Sequence, residues 1–277
     1  MRLQIYFSLS MTFWIFQKSK QGKWKLFLSN IIEYAENIRT AGNTLLGLVN
    51  DILDFSTIEA GKMEIINVEY SLSSLLNDLV NMIHTRAEKK GLKFHINASP
   101  NLPSELFGDE IRIKQVVTNI LTNAVKYTEH GSVTLTVNGQ KISEDQIKIF
   151  FSIKDTGIGI KEEDIKKLFS AFERIEEKRN RAVEGTGLGM NITQRLLNMM
   201  GTSLNVHSVY GEGSEFSFEI EQKILNDHPL GNFEETFENS LTQHKKYQEK
   251  SRHKFFSSPN SSIHNRCRKF QFEFLSA

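Results

Sequence analysis

Cys267 is the only cysteine in the 277 residues, so an intrachain disulfide framework and a cysteine-based zinc cluster are both excluded. A reducing, cytoplasmic setting fits that count. An excess of one charge is missing too. The 34 Lys+Arg against 33 Asp+Glu leave a net charge of +1, which provides no basic field to attract nucleic acid. Long apolar runs are lacking as well. The stretch from Leu3 to Phe16 is interrupted by Gln4, Ser8, Ser10 and Thr12 and falls short of the about 20 apolar residues a spanning helix needs. Followed by Lys18, Lys20, Lys23 and Lys25, it reads as the remnant of a membrane anchor, a short secretory segment or a buried strand.

The length predicts two units, since domains commonly run about 100–200 residues. From residue 30 to 60 the apolar residues follow a heptad. Ile31, Ile38, Leu45 and Ile52 hold one position, and Tyr34, Ala41, Leu48 and Phe55 the next. Gly61 then offers a left-handed helix end. A helix with such a seam needs a second helix, from this chain or a partner subunit, and nothing upstream repeats its period.

Beyond Glu64 a helical stretch runs through Leu72, Leu76, Leu79 and Ile83 to a loop at Gly91, followed by a strand over residues 92–96. A helix from Asp109 to Tyr127 comes next. Residues 132–137 and 147–155 predict a hairpin, residues 161–169 and 189–200 helices, and residues 204–209 and 215–220 two last strands. This order predicts an α+β sandwich of one mostly antiparallel sheet and one helical layer. After Leu225 the apolar pattern stops, and the phenylalanines show no consistent period, so residues 224–277 read as a low-order tail.

Three elements carry chemistry. On the helix over residues 109–127, Asn119, Asn123 and Lys126 are four and three residues apart and share a face. Two carboxamides and an ammonium there can present oxygen to a hard cation and positive charge to a phosphate, as a Mg²⁺–nucleotide site requires. A plain solvated polar face would look the same. Asp155-Thr156-Gly157-Ile158-Gly159 follows a strand; its glycines permit a sharp turn, and Asp155 can accept from an exocyclic amine. Gly185-Thr186-Gly187-Leu188-Gly189 opens a helix, where free backbone N–H groups make a phosphate cradle, although a lone glycine triplet is often only a tight turn.

Together these resemble the histidine-kinase family of the gyrase, heat-shock chaperone and mismatch-repair ATPase superfamily. The asparagine box is Asn119–Asn123, the glycine boxes are Asp155–Gly159 and Gly185–Gly189, and the phenylalanine box is Leu168-Phe169-Ser170-Ala171-Phe172. Gly211-Glu212-Gly213-Ser214-Glu215-Phe216 is similar to the family's last signature, with Ser214 where threonine is usual. The resemblance covers residues 30–221. It implies a Bergerat-type ATP-binding sandwich at residues 67–223, preceded by a dimerisation helix at 29–63 and an atypical N-terminus at 1–28.

The resemblance also implies roles. Asn123 would coordinate Mg²⁺, Lys126 meet phosphate oxygens, Tyr127 lie along the adenine and Asp155 read its amino group. Gly185, Gly187 and Gly189 would hinge a lid, with Thr186 and Leu188 between them and the charged stretch Glu173–Val183 as its body. Asn119 stands where hydrolytic relatives carry a glutamate base, and an amide cannot take a proton from water, so ATP would be held without fast hydrolysis. The implied reaction is γ-phosphoryl transfer to a histidine, with Asn119 and Lys126 in the catalytic set and a receiver domain of a response regulator downstream.

The family's acceptor motif, histidine followed by an acidic residue, is missing. Residues 1–29 contain no histidine, and none of the 8 in the chain precedes Asp or Glu. His84, followed by Thr85, reads as a solvated helix histidine. Relative to the family pattern the chain reads as truncated at both ends. Transfer is therefore expected only in trans, onto the phosphoacceptor helix of another subunit in a homo- or heterodimer. The alternatives are a non-catalytic dimerising regulator of full-length kinases and a gene fragment.

Overall fold

In the computed structural model, the structure describes residues 23–171, 187–237 and 239. The segment 3–16, Gly185, Thr186, Phe172 and the Glu173–Val183 stretch all lie outside those residues. Helix α1 spans Lys23–Glu59. It ends as the sequence predicts, with Gly61 at φ 64° and Lys62 N–H donating to Thr57 O at 3.0 Å. Along most of its length the heptad seam is bare, with Ile38 74% exposed; only the last turns pack, through Phe55 and Ile58.

Strand β1 (Val68–Ser71), helix α2 (Leu72–Lys90), β2 (Lys93–Ala98) and β3 (Pro103–Gly108) come next. Helix α3 (Glu110–Tyr127) leads to β4 (Ser132–Lys141) and β5 (Gln146–Asp155). A short α4 (Glu162–Ile165) and a 3-10 turn (Lys167–Phe169) precede α5 (Gly189–Met199), β6 (Asn205–Val209) and β7 (Gly213–Pro229). The helix expected over residues 161–169 is thus two short pieces; neither contains a fully buried residue that would anchor a longer helix.

The sheet has seven strands in the order β1-β3-β7-β5-β4-β2, with β6 also pairing to β7. All pairings are antiparallel except β2 with β4, which is parallel. β7 is long enough to pair with β6 along residues 213–217 and with β3 along residues 223–229, both on the edge opposite β5. One face of the sheet is apolar at every second residue: Val133, Leu135 and Val137 on β4, Ile149, Phe151 and Ile153 on β5, Phe216, Phe218 and Ile220 on β7. The buried stripes of α2, α3 and α5 cover it, which completes the two-layer α+β sandwich. Phe151 stacks on Phe218 with ring centroids 5.0 Å apart, and burying each such side chain contributes about 1.5–3 kcal/mol.

The loop before β1 is fixed by one side chain. Asp109, 5% exposed, caps α3 by accepting from Arg112 N–H at 3.0 Å and accepts from Ile66 N–H at 2.9 Å with its other oxygen. Order also reaches past the expected end of the pattern. β7 continues to Pro229, and Leu230 N–H donates to Leu102 O at 2.7 Å. Asn232 then caps a helical turn by accepting from Glu235 N–H at 3.2 Å, and that turn buries Phe233 and Phe237. The spacing of four residues between those two phenylalanines is the helical period that the surrounding polar text hides. His84 is half-buried rather than fully solvated: its ring meets the Phe237 ring edge-on at 6.1 Å.

Candidate functional site

The C-terminal half of α3 carries Asn119, Asn123, Lys126 and Tyr127, all half-buried along the edge of the core. Their neighbours Val116, Ile120, Leu121 and Ala124 are buried and hold the helix against the sheet, so the polar face is fixed by the apolar one. Asn119 Nδ2 donates to Gly189 O at 3.3 Å and to Thr193 Oγ1 at 3.4 Å, which joins the asparagine box directly to the second glycine box. The Lys126 ammonium sits 4.9 Å from the centre of the Tyr127 ring, a cation–π contact.

The first glycine box is wedged against the same helix end. A methyl group on Gly157 would come within 2.5 Å of Tyr127 O, and Ile158 N–H donates to that carbonyl at 3.3 Å. Gly159, at φ 66°, lies against β6, where a methyl group would meet Val209 O at 2.1 Å. On the far side Gly213, at φ 127°, leaves no room for a side chain beside Asp155 O. Glycine is needed at these positions because backbone meets backbone.

Asp155 ends β5 and is 5% exposed. Its carboxylate accepts from Gly157 N–H at 2.8 Å and from the backbone N–H of Ser214. Burial raises its pKa above the usual carboxylate range, and the two backbone donors oppose that rise. Ser214 Oγ shares a hydrogen bond of 2.9 Å with Ser208 Oγ. Gly187, Leu188 and Gly189 open α5; Leu188 is buried, and Gly187 is at φ 73°.

Two residues of this region escape a motif reading. Ser208 accepts from Ile160 N–H at 2.7 Å and donates to Gly213 O at 2.9 Å, tying the first glycine box to the β6–β7 turn. Nothing in the alternating text of β6 marks it. Asn191 Nδ2 donates to Phe169 O at 2.7 Å and so links α5 to the phenylalanine box, while its buried Oδ1 has no partner. Its position two residues after Gly189 is the one signal available. Among the described residues no group of three or more His, Cys, Asp or Glu side chains could hold a metal ion, and no helix is long and apolar enough to cross a membrane.

Residues 108–224 match the family model of the histidine kinase-, DNA gyrase B-, and HSP90-like ATPases. The chain carries a histidine-kinase-type ATPase domain. It is 42% identical over 194 residues to hybrid signal transduction histidine kinase B of Dictyostelium discoideum, covering 70% of this chain and 10% of that protein. Signal transduction histidine-protein kinase BarA of Escherichia coli is 38% identical over 188 residues, covering 68% and 20%. Among solved structures, full-length ShkA in complex with AMPPNP matches with a TM-score of 0.58 and 32% identity, covering 70% of this chain and 39% of that one. The chain therefore spans about a tenth to a fifth of the length of these curated relatives. Both curated relatives are named as histidine kinases.

Proposed function

We propose that this chain binds Mg–ATP at the meeting point of its three motifs and transfers the γ-phosphoryl group to a histidine on another subunit, in two-component phosphorelay signalling. One observation supports the reading most. Segments some 30 to 70 residues apart in sequence touch directly, Asn119 at Gly189 O and Gly157 at Tyr127 O, so the asparagine face, the buried carboxylate and the glycine turn border one place. AMPPNP, an ATP analogue, is bound by the related ShkA.

In this reading the Asp155 carboxylate accepts from the exocyclic amine of adenine, and Tyr127 lies along the base. Gly157 and Gly159 let the backbone approach the nucleotide, and Ser214 holds the Asp155 carboxylate in place. Lys126 meets phosphate oxygens, and Gly187, Leu188 and Gly189 border the phosphates. A magnesium ion suits these residues, because Asn119 uses its nitrogen on α5 and leaves its oxygen, and Asn123 one turn on offers a second neutral oxygen. When bound, the ion would neutralise charge on the phosphates; Asn123 would hold it. Phosphoryl transfer needs mainly positioning and charge neutralisation, so these residues can perform their part for an acceptor supplied by another helix. Asn119 lacks the basicity to activate water, which favours transfer over hydrolysis.

The test is incubation of the chain with γ-labelled ATP and Mg²⁺, alone and with a separate phosphoacceptor helix pair, scoring acid-labile, base-stable phosphate. Label on the added helices that disappears in Asn123→Ala is the expected result; nucleotide binding without label would refute the transfer step. The bare seam of α1, from Ile31 and Tyr34 to Ile52 and Leu53, favours a second reading. There the chain pairs through α1 with full-length kinases and modulates them without transfer, and dimerisation without label is its signature.

A further inference from the structure

Helices α2 and α3 run parallel and in register. Lys114 meets Asp78, Arg86 donates to Thr122 Oγ1 at 3.0 Å, and Lys90 reaches Lys126 O, each pair 36 residues apart. A parallel pair brings two C-terminal ends together, where exposed carbonyls concentrate partial negative charge. α2 stops there on a left-handed Gly91, φ 73°, with Leu92 N–H donating back to Ala87 O at 2.9 Å. That stop leaves Lys90 as the last helical residue, beside the end of α3.

The last four carbonyls of α3 can each be followed to a partner. Thr128 donates to Ala124 O through its N–H at 3.2 Å and its hydroxyl at 2.7 Å. Ile158 N–H donates to Tyr127 O. The two carbonyls between them, Val125 O and Lys126 O, both accept from Lys90 Nζ, at 2.8 and 2.7 Å. One ammonium thus closes the end of α3 and offsets the negative poles of both helices. Desolvation among these groups lowers its pKa from the ordinary lysine value, with Glu129 acting in the opposite direction.

We propose that Lys90 is a positioning residue for nucleotide: it holds the final turn of α3 so that Lys126 and Tyr127 face the ligand. The inference rests on the Mg–ATP reading above. Lys90 directs its ammonium at carbonyls and acts through the helix end, not on the phosphates.

The test compares wild type, Lys90→Met, Lys126→Ala and the double variant by calorimetric titration with Mg–ATP, at a temperature where melting curves show all four folded. Methionine keeps the stem of the side chain and removes the charge. Affinity should fall about fivefold in Lys90→Met, the size of a lost charged hydrogen-bonding group at a helix end. The double variant should lose less than the product of the single losses, because Lys90 acts through Lys126. Unchanged affinity in Lys90→Met, or losses that multiply, would overturn the inference while leaving the Mg–ATP reading intact. Absence of binding in wild type would overturn that reading. Hydrogen exchange on the ligand-free chain is a separate check: amides 126–128 should exchange faster in Lys90→Met, and unchanged protection would sink the proposed hold on the helix end.

Discussion

The two glycine boxes use the same residue for different reasons. In the first, added methyl groups would meet backbone at 2.5 Å from Gly157 and 2.1 Å from Gly159. In the second, a methyl group on Gly189 would find the Asn119 side chain at 3.7 Å, an ordinary contact. The first box is a joint of the fold, where a loop passes between the end of α3 and the β6–β7 turn. Gly189 has room in the ligand-free chain, so its value lies in leaving backbone N–H groups open to what binds there, while Gly187, at φ 73°, makes the left-handed turn before it.

Four substitutions would break or sharpen that contrast. Gly159→Ala combines a left-handed backbone with a backbone clash and should cost about 3 kcal/mol or more in urea unfolding. Gly157→Ala has the clash without the positive φ and should cost about 2 kcal/mol. A milder result at either position would mean that the loop can shift and is no joint.

Asp155→Asn should lower affinity for adenine nucleotides about tenfold or more by titration, because a donor would face the base's amine. Its effect on stability should depend on pH. Burial raises the folded pKa of Asp155, so the folded state binds the proton more tightly than the unfolded chain. Wild-type stability from this group therefore falls as pH rises from about 3.9, the unfolded value, through the raised folded value. Melting curves should show the penalty of Asp155→Asn shrinking over that rise. Gly189→Ala should change stability by less than about 0.5 kcal/mol, since neither strain nor clash opposes it. If instead it unfolds the domain, the two boxes are alike after all.

Much of the fold was legible because it repeats a period. β4, β5 and the first half of β7 alternate, and α2, α3 and α5 carry apolar residues at helical spacing. β1 and β3 were not legible. β1 is four residues with only Tyr70 buried, and β3 starts at Pro103 and exposes Phe107 beside buried Leu106, so neither offers a full alternation. The parallel pairing of β2 with β4 joins segments about forty residues apart, which no local pattern encodes. The far half of β7 was hidden by the run Lys223-Ile224-Leu225-Asn226, where only Ile224 is buried.

At the candidate site the motif residues could be named from order and spacing. Their linkages could not. Asn119 to Gly189, Ser208 to Gly213 and Lys90 to the end of α3 depend on which atoms tertiary packing brings together, and a serine in a strand or a lysine before a glycine carries no mark of that.

β7 starts at Gly213, next to the Ser214 N–H that the Asp155 carboxylate accepts from, and runs 17 residues to Pro229, where it pairs with Pro103 at the opposite end of the sheet. At strand rise that is roughly 50 Å. The chain then comes back from that end, for Phe237 meets the His84 ring six residues before α2 closes at Lys90 beside Lys126. Any module tethered beyond Phe237 would meet the phosphates at a local concentration set by the length and stiffness of its linker.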